Sequence, residues 1–246
     1  MAIPRFYVTG HLQVGSNAEL GEVAVHHAVR VLRLRPGDAV VLFNGDGNDY
    51  SGHIQDIAKR TVKAHLTGEE SIDNEASVDI TLIQAVSGGE RMDVTIQKAV
   101  ELGVRRIVPV LSERVIVRLP ADRVQKRHRH WSQIVISACE QCGRNQLPEI
   151  SPILPLDEVL NEDASSGVHW ILSPDSGNQI HGQSLADKKV HLLAGPEGGF
   201  SESETALAIN AGYLPIKLGP RILRTETAAL AAMAAIHALW GDFQTD

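Results

Sequence analysis

Cysteine is scarce: Cys139 and Cys142 are the only two in 246 residues. They form one CxxC with no second pair of ligands, too little for a disulfide framework or a closed zinc site, so reduced thiols on a helix are expected. No apolar run is long enough to span a bilayer, and the opening MAIPRFYV lacks the charged-then-apolar order of a secretory signal. A cytoplasmic protein that stays off membranes is therefore expected. Nucleotide-binding and hydrolase signatures are missing as well. There is no GxxxxGK, the SGGE of residues 87–90 does not spell GxGxxG, and HExxH, GxSxG and carboxylate-rich metal clusters are absent. A P-loop, a Rossmann site and a metal-dependent centre are disfavoured, and no metal is expected.

What the chain does have is 43% hydrophobic content, enough to bury a sizeable core, at a length that allows one large domain or two smaller ones. Its net charge of −7 argues against a nucleic-acid partner only as an average. Residues 91–144 hold 11 Lys or Arg against 5 Asp or Glu, whereas residues 145–246 hold 5 against 13. The basic middle, and RVQKRHRH at 123–130 in particular, suits an RNA backbone as well as it suits a solvated helix face.

Residues 1–72 read as a small β-rich unit, with strands over 38–43, 50–57 and 61–66 and a hairpin-type turn at NGDGN (44–48). One helix, predicted over 23–34, interrupts them, and its Arg30 and Arg33, three apart, would share a face. The acidic EESIDNEAS of 69–77 supplies a solvated linker and the domain boundary. Beyond it, strands over 78–86, 106–111, 150–154, 168–173, 190–194 and 214–218 alternate with helices, among them 91–102 and 121–142. That alternation indicates an α/β domain over 73–246 with a mainly parallel sheet. Residues 157–167 are expected to be an exposed loop. The last helix, TETAALAAMAAIHALW (225–240), is apolar on every side and is expected to be buried all round, within its domain or against a second subunit. Its His237 is expected to be an ordinary core histidine.

Two late loops stand out. GPEGGFS follows the strand at 190–194, and LGPRILRTETA follows the one at 214–218. Gly195, Gly198 and Gly199 let a ligand approach bare backbone, and Pro196 and Pro220 stiffen the turns. Ser201 with Glu204 fits a capping box, and Thr225 is a candidate N-cap, so helix N-termini should face a backbone-lined pocket.

These two loops together resemble the SPOUT methyltransferases, and specifically the family that methylates N3 of a uridine in 16S (small-subunit) ribosomal RNA. PRFYV (4–8), HHAVRVLRLRPGD (26–38), QKAVELGV (97–104), SERVIVRL (112–119) and ACEQCGRN (138–145) extend the resemblance over nearly the whole chain, while GGERMD (88–93) matches more loosely. The resemblance implies a SPOUT domain over 73–246 with a C-terminal trefoil knot, a feature that the rarity of knots would not suggest. It also implies a PUA-like RNA-binding β-barrel over 1–72 and a homodimer. S-adenosyl-L-methionine would be held by Leu193, Gly195, Glu197, Gly198 and Gly199 in the first loop and by Leu218, Gly219, Ile222, Leu223, Arg224 and Thr225 in the second. RNA contacts would come from Arg5, Arg30, Arg33, Arg114, Arg127 and Arg144.

Methylation of uridine N3 requires the imide proton to leave and the charge spreading onto O2 and O4 to be stabilised. Arg221 and Arg224 are the candidate cations and Glu197 a candidate base, with Glu226 a further carboxylate; Glu197 would serve equally well as a cap for its loop. Two alternatives stand beside this reading. One is a SPOUT enzyme acting on another RNA or on a ribose 2′-oxygen, and the other is a non-catalytic RNA-binding protein of the same fold.

Overall fold

The computed structural model describes residues 3–114, 121–162 and 166–244. Residues 115–119 of the SERVIVRL segment and 163–165 of the expected loop lie outside them. The chain divides into two compact units, one running to Glu75 and taking in Ile136–Leu147, the other formed by Ala76–Val135 with Pro148–Asp246.

The first unit holds β1 (Arg5–Tyr7), β2 (Asn17–Glu19), β3 (Ala39–Phe43), β4 (Asn48–Ile57) and β5 (Val62–Ser71). They pair in the order β1–β3–β4–β5–β2, with β1 and β3 parallel and the other pairs antiparallel. At the β3–β4 turn Gly45 and Gly47 take φ of 97° and 92°, and Asp46 Oδ1 accepts from the Asn48 N–H at 2.9 Å. Strand alternation turns Leu42, Ile54, Ala64 and Leu66 into one core with Phe6 and Leu20. β5 runs on to Ser71, into the stretch expected to be linker, because it keeps pairing with β4 as far as Asn48.

The helix expected over 23–34 is corrected. α1 (Glu22–His26) gives way to a π turn over His27–Val31, the Leu34 N–H reaches back to the Ala28 carbonyl, and Arg33 lies beyond it at φ 54°. Arg30 and Arg33 are both exposed but share no helical face. Residues 136–147 also depart from a linear division at residue 72. They join the first unit because Glu140 Oε1 accepts the Tyr7 N–H at 3.0 Å and the Asn145 amide donates to the Gly47 and Ile72 carbonyls at 3.0 Å. Both cysteines are free thiols; Cys139 is buried, and burial pushes its thiol up to about 12.

The second unit is built on β6 (Asp79–Ala85), β7 (Arg106–Leu111), β8 (Glu149–Ile150), β9 (Leu154–Pro155), β10 (Val168–Leu172), β11 (Lys189–Ala194) and β12 (Leu214–Ile216). Every pairing is parallel, in the order β12–β10–β11–β6–β7–β8 with β9 also on β7. The single strand expected at 150–154 is two short ones, because Pro152 has no N–H to offer the ladder between them. Helices α2 (Arg91–Glu101), α3 (Ala121–Cys142), α4 (Leu156–Glu162), α5 (Glu202–Asn210) and α6 (Thr225–Trp240) complete the unit, although the last turns of α3 belong to the first. α4 occupies part of the expected loop because Leu156 and Leu160, four apart, both bury in the core with Ile83, Val108 and Leu193.

α6 has the expected bounds, and within the single chain one side of it is buried. Thr225, Ala229, Ala232, Met233, Ile236 and His237 are buried at helical spacing, while Thr227 and Ala238 are exposed and Leu230, Ala231 and Ala234 half-buried. The buried side packs against α2. His237 is a satisfied core residue at one nitrogen, with Nε2 2.9 Å from the Leu102 carbonyl. The strand order and sense are compatible with a threaded crossing of the late loops.

Candidate active site

Because the strands are parallel, the carboxyl ends of β6, β10, β11 and β12 share one edge, which is where open α/β sheets take their ligands. The loops leaving β10, β11 and β12 enclose a cleft of about 1050 Å³ there. Its apolar lining includes Leu172, Pro174, Ile216, Leu218, Ile222 and Leu223, and charged residues, among them Asp175, Glu202, Arg221 and Arg224, also line it. Ile222 is 87% exposed, an apolar side chain left waiting for a cover.

Local chemistry explains how each loop is held. A Cβ on Gly195 would meet the Phe200 ring at 3.3 Å, so the strand can turn there only as glycine without displacing that ring. Gly199 closes the turn with its N–H on the Pro196 carbonyl at 2.9 Å and φ 66°, and no atom lies within 4 Å of where its Cβ would stand. The capping box forms: Ser201 Oγ accepts the Glu204 N–H at 3.1 Å, and Glu204 Oε2 accepts the Ser201 N–H at 2.8 Å. Arg224, not Thr225, is the N-cap residue of α6. The Thr225 hydroxyl donates instead to the Gly195 carbonyl at 2.6 Å, tying the second loop to the first.

Of the residues expected to hold a cofactor, Gly195, Glu197, Gly198, Gly199, Leu218, Gly219, Ile222, Leu223, Arg224 and Thr225 all line this cleft. Leu193 does not, since its side chain is fully buried in the core with Ile83 and Ile171. Arg221 and Arg224 line the cleft, are exposed, and make no ion pair among the described residues. Glu197 is committed elsewhere. Its Oε1 accepts from the Gly88 N–H at 2.8 Å and from Arg91 Nη1 at 3.0 Å, so the carboxylate acts as a cap and anchor for its loop. The loosely matching GGERMD turn thereby acquires a role. Arg91 also places Nε 3.9 Å from Glu226 Oε2, a buried oxygen with no hydrogen-bond partner. Arg114 donates to the Gly198 carbonyl at 3.0 Å.

Two of the expected RNA contacts are corrected. Arg5 forms a two-point pair with Asp49, one contact being Nη2 to Oδ1 at 2.9 Å, and Arg144, 3% exposed, pairs with Glu75 at 2.5 Å. A guanidinium neutralised and buried in this way has little left for phosphate. Arg30 and Arg33 remain exposed, and Arg127 is half-buried on α3 beside exposed Arg123, Lys126 and Arg129. Sequence reasoning missed Gln84, the one amide in the buried end of β6, which donates to Thr225 Oγ1 at 3.1 Å. Its signal was a glutamine inside the apolar run ITLIQAV.

A parallel sheet with a loop-built cleft at its edge, together with a separate small β unit, is the architecture of an RNA methyltransferase. Residues 74–237 match the family model described as RNA methyltransferase domain, residues 22–67 match the RNA methyltransferase PUA domain, and the chain belongs to this family. More particularly, it is similar to the ribosomal RNA small subunit methyltransferase E of Buchnera aphidicola from Schizaphis graminum, with 37% identity over 243 residues and 98% of both chains covered. The Neisseria gonorrhoeae protein of the same name, solved bound to S-adenosyl methionine, is 43% identical, with a TM-score of 0.91 over 99% of this chain and 100% of that one. A Legionella pneumophila chain in complex with SAM aligns at a TM-score of 0.94 and 38% identity, covering 98% of this chain and 100% of that one.

Proposed function

We propose that this chain is an S-adenosyl-L-methionine-dependent methyltransferase that modifies N3 of a uridine in 16S ribosomal RNA, working as a cytoplasmic homodimer. The carrying observation is the cleft, in which two glycine-bearing loops are tied together at Gly195 and Thr225 and two uncommitted arginines stand at the mouth. The site suits the cofactor: apolar Leu218, Ile222 and Leu223 line it, Gly199 and Gly219 leave open space where a side chain would stand, and among the described residues the buried Glu226 Oε2 has no hydrogen-bond donor. Leu218, Ile222 and Leu223 would flank the adenine, and the backbone of Gly195 to Gly199 would hold the rest. When bound, the cofactor supplies an electrophilic methyl group on a sulfonium.

The chain's own residues supply the remainder. At neutral pH the N3 lone pair of uridine is tied up by the imide proton. A guanidinium beside O2 or O4 lowers that proton's pKa, so that it leaves to water, and stabilises the anion that remains, the task that suits Arg221 and Arg224. Exposed Arg30, Arg33 and half-buried Arg127 serve RNA phosphates. The uncovered side of α6, together with exposed Ile222, is the surface for the second subunit.

The test is to titrate the purified protein with S-adenosylmethionine and then follow labelled methyl transfer to 16S ribosomal RNA, free and in assembled small subunits. Saturable cofactor binding with transfer to at least one of these substrates is expected. No binding, or binding with transfer to neither, would overturn the reading.

A further inference from the structure

We propose that Gln84 is the positioning residue that holds the two cofactor loops in register, acting through the Thr225 hydroxyl on the Gly195 carbonyl; the proposal rests on the methyltransferase reading of the cleft. Gln84 is fully buried and faces Ala194 across the β6–β11 pairing. Its Nε2 has four oxygens within reach: Ala85 O and Thr225 Oγ1 at 3.1 Å, and Ala194 O and Gly195 O at 3.4 Å. Three are carbonyls, which can only accept. The fourth has given its own proton to the Gly195 carbonyl at 2.6 Å, so it too accepts from Gln84. That environment fixes the amide, because the flipped orientation would set Oε1 against three carbonyl oxygens.

The fixed orientation has a cost. Gln84 Oε1 is buried with no hydrogen-bond partner among the described residues, and an unsatisfied buried acceptor destabilises a fold. An apolar side chain of the same length would avoid that cost, so packing alone does not account for an amide here. What the amide adds is the relay from Gln84 Nε2 through Thr225 Oγ1 to Gly195 O. It joins β6, the start of the first loop and the first turn of α6, segments that are otherwise far apart in the chain. Gly195 and Thr225 both line the cleft, whereas Gln84 does not, so its influence on the ligand passes through them.

The experiment is calorimetric titration of full-length variants with S-adenosylmethionine, paired with methyl transfer at saturating cofactor. Gln84→Met should bind the cofactor at least tenfold more weakly while retaining its rate at saturation, a KM effect without a kcat effect. Thr225→Val, which removes the middle of the relay, should weaken binding as well, and Thr225→Ser, which keeps the hydroxyl, should bind more tightly than Thr225→Val. Gln84→Glu adds a pH signature. Burial against three carbonyls holds the new acid protonated, and so able to donate, at neutral pH, and affinity should fall as the pH is raised toward about 9 and the carboxylate forms. Wild-type affinity in folded Gln84→Met or Thr225→Val would overturn the proposal; should Gln84→Met not fold, Gln84→Glu decides it, and an affinity that does not fall with rising pH would overturn it. If the unmodified protein itself fails to bind, the methyltransferase reading fails instead.

Discussion

Charged side chains that are already paired differ from those that are not, and that difference sorts structural roles from functional ones. Arg221 and Arg224 make no ion pair among the described residues, and each is expected to stabilise the uridine anion. Arg224→Ala or Arg221→Ala should lower single-turnover methylation by roughly tenfold or more at saturating cofactor and RNA. Raising the pH should partly restore the rate by ionising the imide without help, and a flat pH response in a slowed mutant would place the anion's partner elsewhere. Arg144 is the opposite case. Removing it takes the guanidinium from Glu75 in a poorly hydrated site, so Arg144→Ala should cost about 3–5 kcal/mol in urea unfolding and leave cofactor affinity in the surviving folded protein unchanged. Thiol reactivity reports on the same packing. With its thiol pushed up to about 12 by burial, Cys139 stays protonated at pH 8 and should resist alkylation under native conditions, while half-buried Cys142 reacts first. Equal rates for the two would contradict the packing of residues 136–147.

At the level of elements, α6 makes the clearest demand. One side is fully buried and the other, carrying Leu230, Ala231, Ala234 and Ala238, is apolar and incompletely covered by its own chain. Ala234→Arg should therefore halve the mass seen by light scattering, from about two chains to one, with the helix intact by circular dichroism. A dimer that survives this change uses another surface. The same helix shows what was legible in the sequence. Its bounds and the Ser201–Glu204 capping box could be read directly because both depend on local chemistry, and the parallel sense of the strands followed from their alternation with helices. Features set by distant partners could not be read. Arg5 and Arg144 looked like RNA contacts until Asp49 and Glu75 came to meet them. Leu193 looked like cleft wall until β11 placed it in the core, and the Thr225 hydroxyl abandoned capping for the Gly195 carbonyl. The π turn at His27–Val31 broke a helical face that three-residue spacing alone would have kept.

For the molecule as a whole, a net charge of −7 has to be reconciled with a polyanionic substrate. The reconciliation lies in distribution: among the described residues Arg30 on the π turn and Arg127 on α3 make no ion pair, while acidic residues gather late in the chain. Replacing Arg30 or Arg127 should weaken RNA binding, leave cofactor affinity unchanged, and lower the dependence on log salt by about 0.7 for each single-strand phosphate left without its cation. An unchanged slope would mark the residue as ordinary surface. The central claim, methyl transfer to uridine N3, is tested most directly by identifying the product. Small-subunit RNA lacking the modification would be incubated with the protein and S-adenosylmethionine, digested to nucleosides and resolved by mass spectrometry against standards. The account predicts 3-methyluridine, formed only when cofactor and protein are both present. A ribose-methylated nucleoside, a methyl group on another base, or no methylated nucleoside from either free RNA or assembled subunits would contradict it.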